Sequence, residues 1–110
     1  MARFVKGDVV VLPFPFTDLT QAKRRPALVI AELKGDDVIL CLITSQWVKD
    51  EDAIPIDETD FEQGGLKKKS HIRPNRIFTA DSNIILYSAG RLKKKRTDDV
   101  IEKVIEILRR

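Results

Sequence analysis

A chain of 110 residues that is 43% apolar has the size and the apolar content of one domain. Its core must be mainly aliphatic, because the chain has only one Trp and one Tyr besides five Phe. The lone cysteine excludes a disulfide framework, and one Cys with one His cannot form a closed zinc site, so we expect no metal or other cofactor. The net charge is +3. No apolar run is long enough to cross a bilayer, and Met1–Phe4 does not open a signal peptide, so we predict a cytoplasmic protein.

Opposite charges are separated along the chain. Residues 50–62 contain seven carboxylates and no Lys or Arg, whereas residues 63–80 contain no carboxylate but several cations: Lys67, Lys68, Lys69, Arg73 and Arg76. Such separation predicts an anionic partner, for which phosphate is the obvious candidate. The alternative is a solvated basic surface, which we favour for Lys93–Arg96 but not for the segment from Lys67 to Arg76.

The first half of the chain has the pattern of β-strands. We predict a strand at Asp8–Leu12, and we interpret Pro13–Phe16 as a strand edge that leads into a polar loop, because proline cannot donate to a ladder. The loop is predicted to run from Thr17 to Arg25. Two buried strands follow at Ala27–Ala31 and Val38–Ile43, joined by a hairpin turn, and Cys41 is expected inside the second.

The second half adds shorter strands and a helix. We predict an edge strand at Ile54–Ile56, a flexible turn at Gly64–Gly65, and strands at Ser70–Arg73, Ile77–Thr79 and Tyr87–Leu92. Apolar residues then recur at helical spacing from Val100 to Leu108, with Thr97 as the expected N-cap. The expected fold is mainly β with a C-terminal helix, a small curved antiparallel barrel that takes residues 1–110 as a single domain.

Three segments, taken in order, resemble the MazF/PemK toxin family. The first joins Lys6–Val10 to Arg24–Ile30, the second is Ile43–Gln46, and the third runs from Ser70 to Asp81. The resemblance covers nearly the whole chain. It implies an SH3-like barrel, a homodimer, ribosome-independent cleavage of mRNA, and a cognate antitoxin whose disordered segment occupies the RNA groove.

The resemblance also implies roles for three residues. Cleaving RNA without a metal uses the substrate's own 2′-hydroxyl, so the enzyme must stabilise negative charge on the phosphorane and protonate the leaving oxygen. Arg25 and Thr44 match the family's catalytic arginine and threonine. Arg73 matches an arginine that some members use as a catalytic acid and phosphate ligand. Those members carry an aspartate as general base two residues later, where this chain has Asn75, so a mechanism that needs that carboxylate is in doubt.

Further residues are candidates for contacts with single-stranded RNA, whose bases are commonly held by stacking on aromatic side chains. Phe14, Phe16 and Trp47 are candidates for stacking, although core packing is the alternative for both Phe residues. By strand alternation His71 is expected on the face of Arg73, and we interpret it as a surface residue rather than the base. The predicted RNA contacts are Asp18, Ser45, Gln46, Trp47, Lys67, Lys68, Lys69, Ser70, His71, Asn75 and Arg76.

Three functions therefore compete. The first is an mRNA interferase. The second is a non-enzymatic toxin on the same barrel that binds a protein such as DNA gyrase, which would need no phosphate groove. The third, which Asn75 keeps open, is an RNA-binding module that has lost catalysis.

Overall fold

The computed structural model describes residues 4–14 and 23–110. In these residues seven antiparallel strands form one curved, half-barrel sheet, with a single α-helix at the C-terminus. The strands are β1 (Asp8–Phe14), β2 (Lys23–Glu32), β3 (Asp37–Thr44), β4 (Ile54–Ile56), β5 (Phe61–Gly64), β6 (Ser70–Asp81) and β7 (Tyr87–Leu92), and the helix is α1 (Lys94–Leu108). The strand order is β4-β6-β3-β2-β1-β7-β5.

The sheet buries apolar side chains on both faces. Val9, Leu28 and Cys41 belong to one cluster, which also takes Val100 and Val104 of α1. Their strand neighbours, such as Val10 and Leu40, belong to a second cluster on the other face. Strand alternation produces this division, and it explains why the strands consist of nearly continuous apolar residues. Cys41 is a buried core residue of β3, as predicted, and burial raises the pKa of its thiol to about 12.

Most predicted elements are confirmed, and the structure differs from the prediction at five places. Polar residues Lys23–Arg25 belong to β2, not to the loop, because they pair with Pro13–Phe14 and Leu12 of β1. The strand β5 was not predicted. The two strands predicted around Pro74 are one strand, β6, interrupted by a bulge. No helix in the part of the chain that the structure describes is long and apolar enough to cross a membrane.

The helix starts one turn earlier than predicted, so Thr97 is not its N-cap. Lys93 is the N-cap residue and makes no side-chain capping bond, while the buried Thr97 hydroxyl donates to the Lys93 carbonyl oxygen at 3.3 Å. Arg96 fixes this first turn by pairing with Asp60 (Nε–Oδ1, 3.2 Å) and donating to the Pro55 carbonyl oxygen. Long-range contacts therefore extend the helix beyond its apolar pattern.

The turn predicted at Gly64–Gly65 is wrong for Gly64, which pairs with Gly90 between β5 and β7, whereas Gly65 is the first residue after β5. A Cβ at Gly64 would lie 2.3 Å from the Ala89 carbonyl oxygen, and φ there is +65°. A Cβ at Gly90 would lie 2.5 Å from the Gln63 carbonyl oxygen. Only glycine permits this close approach of two backbones.

Candidate functional site

One cleft of about 310 Å³ brings together the three residues predicted to be catalytic. We call it the Arg25 cleft, and its lining residues are Phe14, Arg25, Leu42, Ile43, Thr44, Gln46, Val48 and Arg73. Two of these residues are arginines, and none of the described residues that line the cleft is an aspartate or a glutamate. The cleft thus offers positive charge and hydrogen-bond donors, which is the chemistry that binds phosphate.

Strand register explains why the three side chains meet. Leu42 of β3 pairs with Ala27 of β2 on one side and with Arg73 of β6 on the other. Arg25 and Thr44 each lie two residues beyond the Ala27–Leu42 pair, in the direction of the cleft. Residues two apart share a face of a strand, so the three polar side chains come from adjacent strands onto one face.

Arg25 is half-buried and lies opposite Leu12 of β1. Its position in a strand makes it a more rigid group than the predicted loop position would. The described part of the chain gives its guanidinium no ion-pair partner. Its forked donors match the geometry of a phosphate anion.

Thr44 is the last residue of β3, and its hydroxyl oxygen accepts a hydrogen bond from the backbone N–H of Gln46 at 3.2 Å. That bond uses one lone pair of the oxygen and leaves the hydroxyl proton free to be donated elsewhere. Thr44 is thus oriented as a hydrogen-bond donor at the cleft. Gln46, one of the predicted RNA contacts, also lines the cleft.

The bulge in β6 separates Asn75 from the β-ladder. Leu42 pairs with Arg73, whereas the preceding residue, Cys41, pairs with Ile77, so Pro74, Asn75 and Arg76 have no partner on β3. Proline lacks the N–H that a ladder requires, which explains why the interruption falls at the buried Pro74. The Asn75 amide nitrogen instead donates to Asp50 Oδ1 at 3.0 Å.

Asp50 also accepts a hydrogen bond from Arg73 Nε through Oδ2, at 3.1 Å, and was not among the predicted site residues. It lies 23 residues before Arg73, outside any local motif. A signal was nevertheless present, because Asp50 begins the acidic stretch that precedes the basic segment. Part of the charge separation in the sequence is therefore compensated within the fold.

Other predicted contacts lie in a second cleft of about 350 Å³, which we call the His71 cleft. His71 pairs with Thr44 across β3 and β6, yet it lies on this other cleft, toward the edge strand β4. Its Nδ1 atom is buried without a hydrogen-bond partner in the described residues. The lining residues are Pro55, Ile56, Asp57, Thr59, Asp60, Lys69, Ser70, His71 and Arg96.

The remaining predicted contacts are more scattered. Lys67, Lys68 and Lys69 line a third cleft together with Asp57 and Glu58. The buried Ser70 hydroxyl donates to the Lys68 carbonyl oxygen at 3.0 Å, and Ser45 and Arg76 are exposed outside the Arg25 cleft.

Of the candidates for stacking, Trp47 follows Gln46 and is 80% exposed. Phe14 lines the Arg25 cleft, and the centre of its ring lies 5.5 Å from that of Phe78. Phe16 and Asp18 lie outside the described residues.

Solved structures with the same fold include several toxins. A MazE–MazF complex from Deinococcus radiodurans aligns with a TM-score of 0.75 at 17% identity, over 96% of this chain and 95% of that one. An endoribonuclease from a mycobacterial species, in complex with its cognate antitoxin, aligns with a TM-score of 0.74 at 11% identity, over 96% and 94%. The toxin MazF-mt6 of Mycobacterium tuberculosis aligns with a TM-score of 0.68 at 15% identity, over 92% and 95%. These likenesses establish the fold.

The sequence itself establishes the family. No curated protein sequence matches the chain significantly. A family model, however, matches residues 5–108, which is nearly the whole chain and includes every residue of the Arg25 cleft. The chain belongs to the PemK-like, MazF-like toxins of type II toxin–antitoxin systems.

Proposed function

We propose that this protein is an endoribonuclease that cleaves single-stranded mRNA independently of metal ions and of the ribosome. The observation that carries the proposal is the convergence of Arg25, Thr44 and Arg73 on one cleft whose described lining residues include no carboxylate. Such a cleft attracts a phosphodiester and can stabilise the extra charge of a phosphorane.

The proposed reaction starts with attack of the substrate's 2′-oxygen on the adjacent phosphorus. The 2′-hydroxyl gives up its proton, the bond from phosphorus to the 5′-oxygen breaks, and the 5′-oxygen takes up a proton, which leaves a 2′,3′-cyclic phosphate and a 5′-hydroxyl. Arg25 and Arg73 would stabilise the phosphorane oxygens through charged N–H donors, and the free hydroxyl proton of Thr44 would add a third donor. Because the Thr44 oxygen already accepts from Gln46, this donor needs little reorganisation.

The RNA on either side of the scissile phosphate would contact residues around the cleft. The exposed ring of Trp47, next to Gln46, is suited to stacking on a base. Lys67, Lys68 and Lys69 share their cleft with carboxylates, which weaken direct binding of a phosphate. These lysines would therefore attract the RNA backbone at longer range and would not hold one phosphate.

The proposed partners are a cognate antitoxin and a second copy of the chain. Two of the solved relatives are complexes with an antitoxin or with MazE, which supports an antitoxin for this protein. We propose that an acidic, partly disordered antitoxin segment competes with RNA for the Arg25 cleft, that the toxin is a homodimer, and that it acts in the cytoplasm. A monomer at micromolar concentration by light scattering would contradict the dimer.

A long single-stranded RNA incubated with the protein in EDTA tests the activity. We expect cleavage to persist and the fragments to have 2′,3′-cyclic phosphate and 5′-hydroxyl ends. A strict requirement for Mg²⁺, or 5′-phosphate ends, would contradict the mechanism. Tight RNA binding without cleavage would instead favour the RNA-binding module that Asn75 leaves open.

A further inference from the structure

The Asp50 carboxylate is buried behind the Arg25 cleft and accepts several hydrogen bonds. Its side chain is only 7% exposed and accepts hydrogen bonds from three donors. Oδ2 accepts from Arg73 Nε at 3.1 Å, while Oδ1 accepts from the Asn75 amide and from the backbone N–H of Asp52, each at 3.0 Å. Asp50 is not one of the residues that line the cleft. Its contact with the cleft is through Arg73, which lines it.

The contact with Asp50 determines how Arg73 is presented. The carboxylate accepts from Nε, and no described residue forms a hydrogen bond or an ion pair with the two terminal nitrogens of the guanidinium. Because the guanidinium is planar, fixing Nε also fixes the direction in which those terminal donors point. The Arg73 side chain is 20% exposed and lines the cleft, so the free edge of the fork is available to a phosphate there.

Asp50 remains charged in this setting. Burial raises its pKa, but hydrogen bonds from the Asp52 backbone, Arg73 and Asn75, together with the charge of Arg73, lower it by more. The net result is a pKa below the ordinary value for aspartate. The carboxylate is thus ionised at neutral pH and suited to holding a guanidinium, not to delivering a proton.

A second anchor holds the loop that carries Asp50. The Asp52 carboxylate pairs with the guanidinium of Arg110, just beyond α1, which also pairs with Glu106. The loop is therefore attached to the end of the helix as well as to the β6 bulge. Loss of the Asp50 charge should leave the loop attached and the fold intact.

From this geometry we propose that Asp50 is a positioning residue, which fixes Arg73 and Asn75 so that the free edge of the Arg73 guanidinium faces the scissile phosphate. This inference rests on the proposed ribonuclease function. It also gives Asn75 a role, because an amide at this position donates to Asp50 where an aspartate would repel it.

A double-mutant cycle tests whether Asp50 acts through Arg73. Asp50→Asn is expected to lower kcat about 10-fold with little change in KM, as for the loss of one charged hydrogen bond. In the Arg73→Ala background the same substitution should have almost no further effect. Glu51→Gln is the matched control, since Glu51 is exposed on the same loop and has no ion pair among the described residues. An undiminished effect of Asp50→Asn in the Arg73→Ala background, or no effect in the wild type, would overturn the proposal.

A second readout separates failure of this inference from failure of the proposed function. In ¹⁵N NMR of the protein without RNA, the Arg73 Nε–H signal should be protected from exchange with solvent. The Asp50→Asn substitution should shift this signal and remove the protection. Glu51→Gln should leave it unchanged. If the wild type cleaves no RNA but this signal behaves as expected, the catalytic function fails and the positioning stands. An Arg73 signal that is insensitive to Asp50→Asn would overturn the positioning whether or not RNA is cleaved.

Discussion

The Arg25 cleft and the His71 cleft have similar volumes, about 310 and 350 Å³, but the charged residues that line the first are all cationic, whereas those that line the second are balanced. Both contain cationic residues from the basic part of the sequence. In the His71 cleft, Lys69 and Arg96 are accompanied by Asp57 and Asp60, and Arg96 pairs with Asp60 directly. In the Arg25 cleft no described lining residue opposes the two arginines, and Asp50 touches Arg73 from behind.

This difference indicates which basic residues are free to bind an anion. A cation beside a carboxylate attracts a phosphate less strongly, because the nearby negative charge offsets part of its field. This holds for Arg73 beside Asp50 as well as for Arg96 beside Asp60, so Arg25, which has no ion pair among the described residues, supplies most of the positive field in its cleft. A run of lysines in the sequence is therefore a poorer guide than the balance of charge around a cleft. We therefore propose that the scissile phosphate binds in the Arg25 cleft and that the His71 cleft takes no part in the chemistry.

The largest expected effect is from Arg25→Ala. It should lower the cleavage rate at least ~100-fold, because it removes a charge that stabilises the transition state. The melting temperature should change little, since Arg25 has no ion pair among the described residues. Arg25→Lys should restore little, because an ammonium does not reproduce the fork.

Arg24→Ala is the matched control for Arg25→Ala. Arg24 is exposed on the same strand, with the same charge, and alternation directs it away from the face of Arg25. Equal losses for the two variants would mean that only net charge matters, and a parallel fall in stability and activity would make Arg25 structural.

Removing the Thr44 hydroxyl should have the next largest effect. Thr44→Val is expected to slow cleavage between about 10- and 100-fold, as for the loss of one donor to a developing negative charge, and Thr44→Ser should retain most activity. The control lies in the other cleft, where the Thr59 hydroxyl donates to Asp57. If Thr59→Val slowed cleavage as much as Thr44→Val, the distinction between the clefts would fail.

Substitutions of Asn75 should have a smaller effect. Asn75→Ala is expected to slow cleavage by about 10-fold or less, the value of a neutral hydrogen bond. Asn75→Asp should give no gain, because a carboxylate there would face Asp50, whose Oδ1 lies 3.0 Å from the present amide nitrogen, and also Asp52. A large acceleration by Asn75→Asp, with a new acidic limb in the pH–rate profile, would instead identify the wild type as a crippled enzyme.

Neutralising the lysine run should have the smallest effect. Replacing Lys67, Lys68 and Lys69 by Gln is expected to weaken RNA binding only several-fold, because carboxylates share their cleft. The slope of log K against log salt concentration should fall by less than about one for each lysine replaced. The comparison variant replaces Lys93, Lys94 and Lys95, which we interpret as solvated. A loss of kcat as large as that of Arg25→Ala would show that the lysines contact the reacting phosphate.

The sequence predicted elements best where the apolar pattern alone specifies them. The runs at Val38–Ile43 and Val100–Leu108 give a buried strand and an amphipathic helix without reference to distant residues. Prediction failed where pairing overrides local preference. Lys23–Arg25 look like a loop until β1 lies beside them, and α1 begins before Thr97 because Arg96 reaches Asp60 and the Pro55 carbonyl.

The site was predicted in part for the same reason. Arg25, Thr44 and Arg73 were predicted through a resemblance of motifs; register brings them together, and their catalytic roles stay predictions. Asp50 was not identified, because its partners lie 23 and 25 residues away and become neighbours only through the β6 bulge. His71 was expected on the face of Arg73, yet it lines the other cleft, because alternation gives no information about which cleft a curved sheet presents there.

Amide chemical-shift mapping with an uncleavable oligonucleotide tests the central claim most directly. The probe is an RNA oligonucleotide that contains the cleavage site found in the activity assay, with a single 2′-deoxy nucleotide at the scissile position. This change removes the proposed nucleophile but keeps the phosphate. We expect the largest shifts at Thr44, Gln46 and Val48, which line the Arg25 cleft, and little change at Asp57, Thr59 and Asp60. Dominant shifts at the second set, or efficient cleavage of the 2′-deoxy probe at that position, would contradict the account.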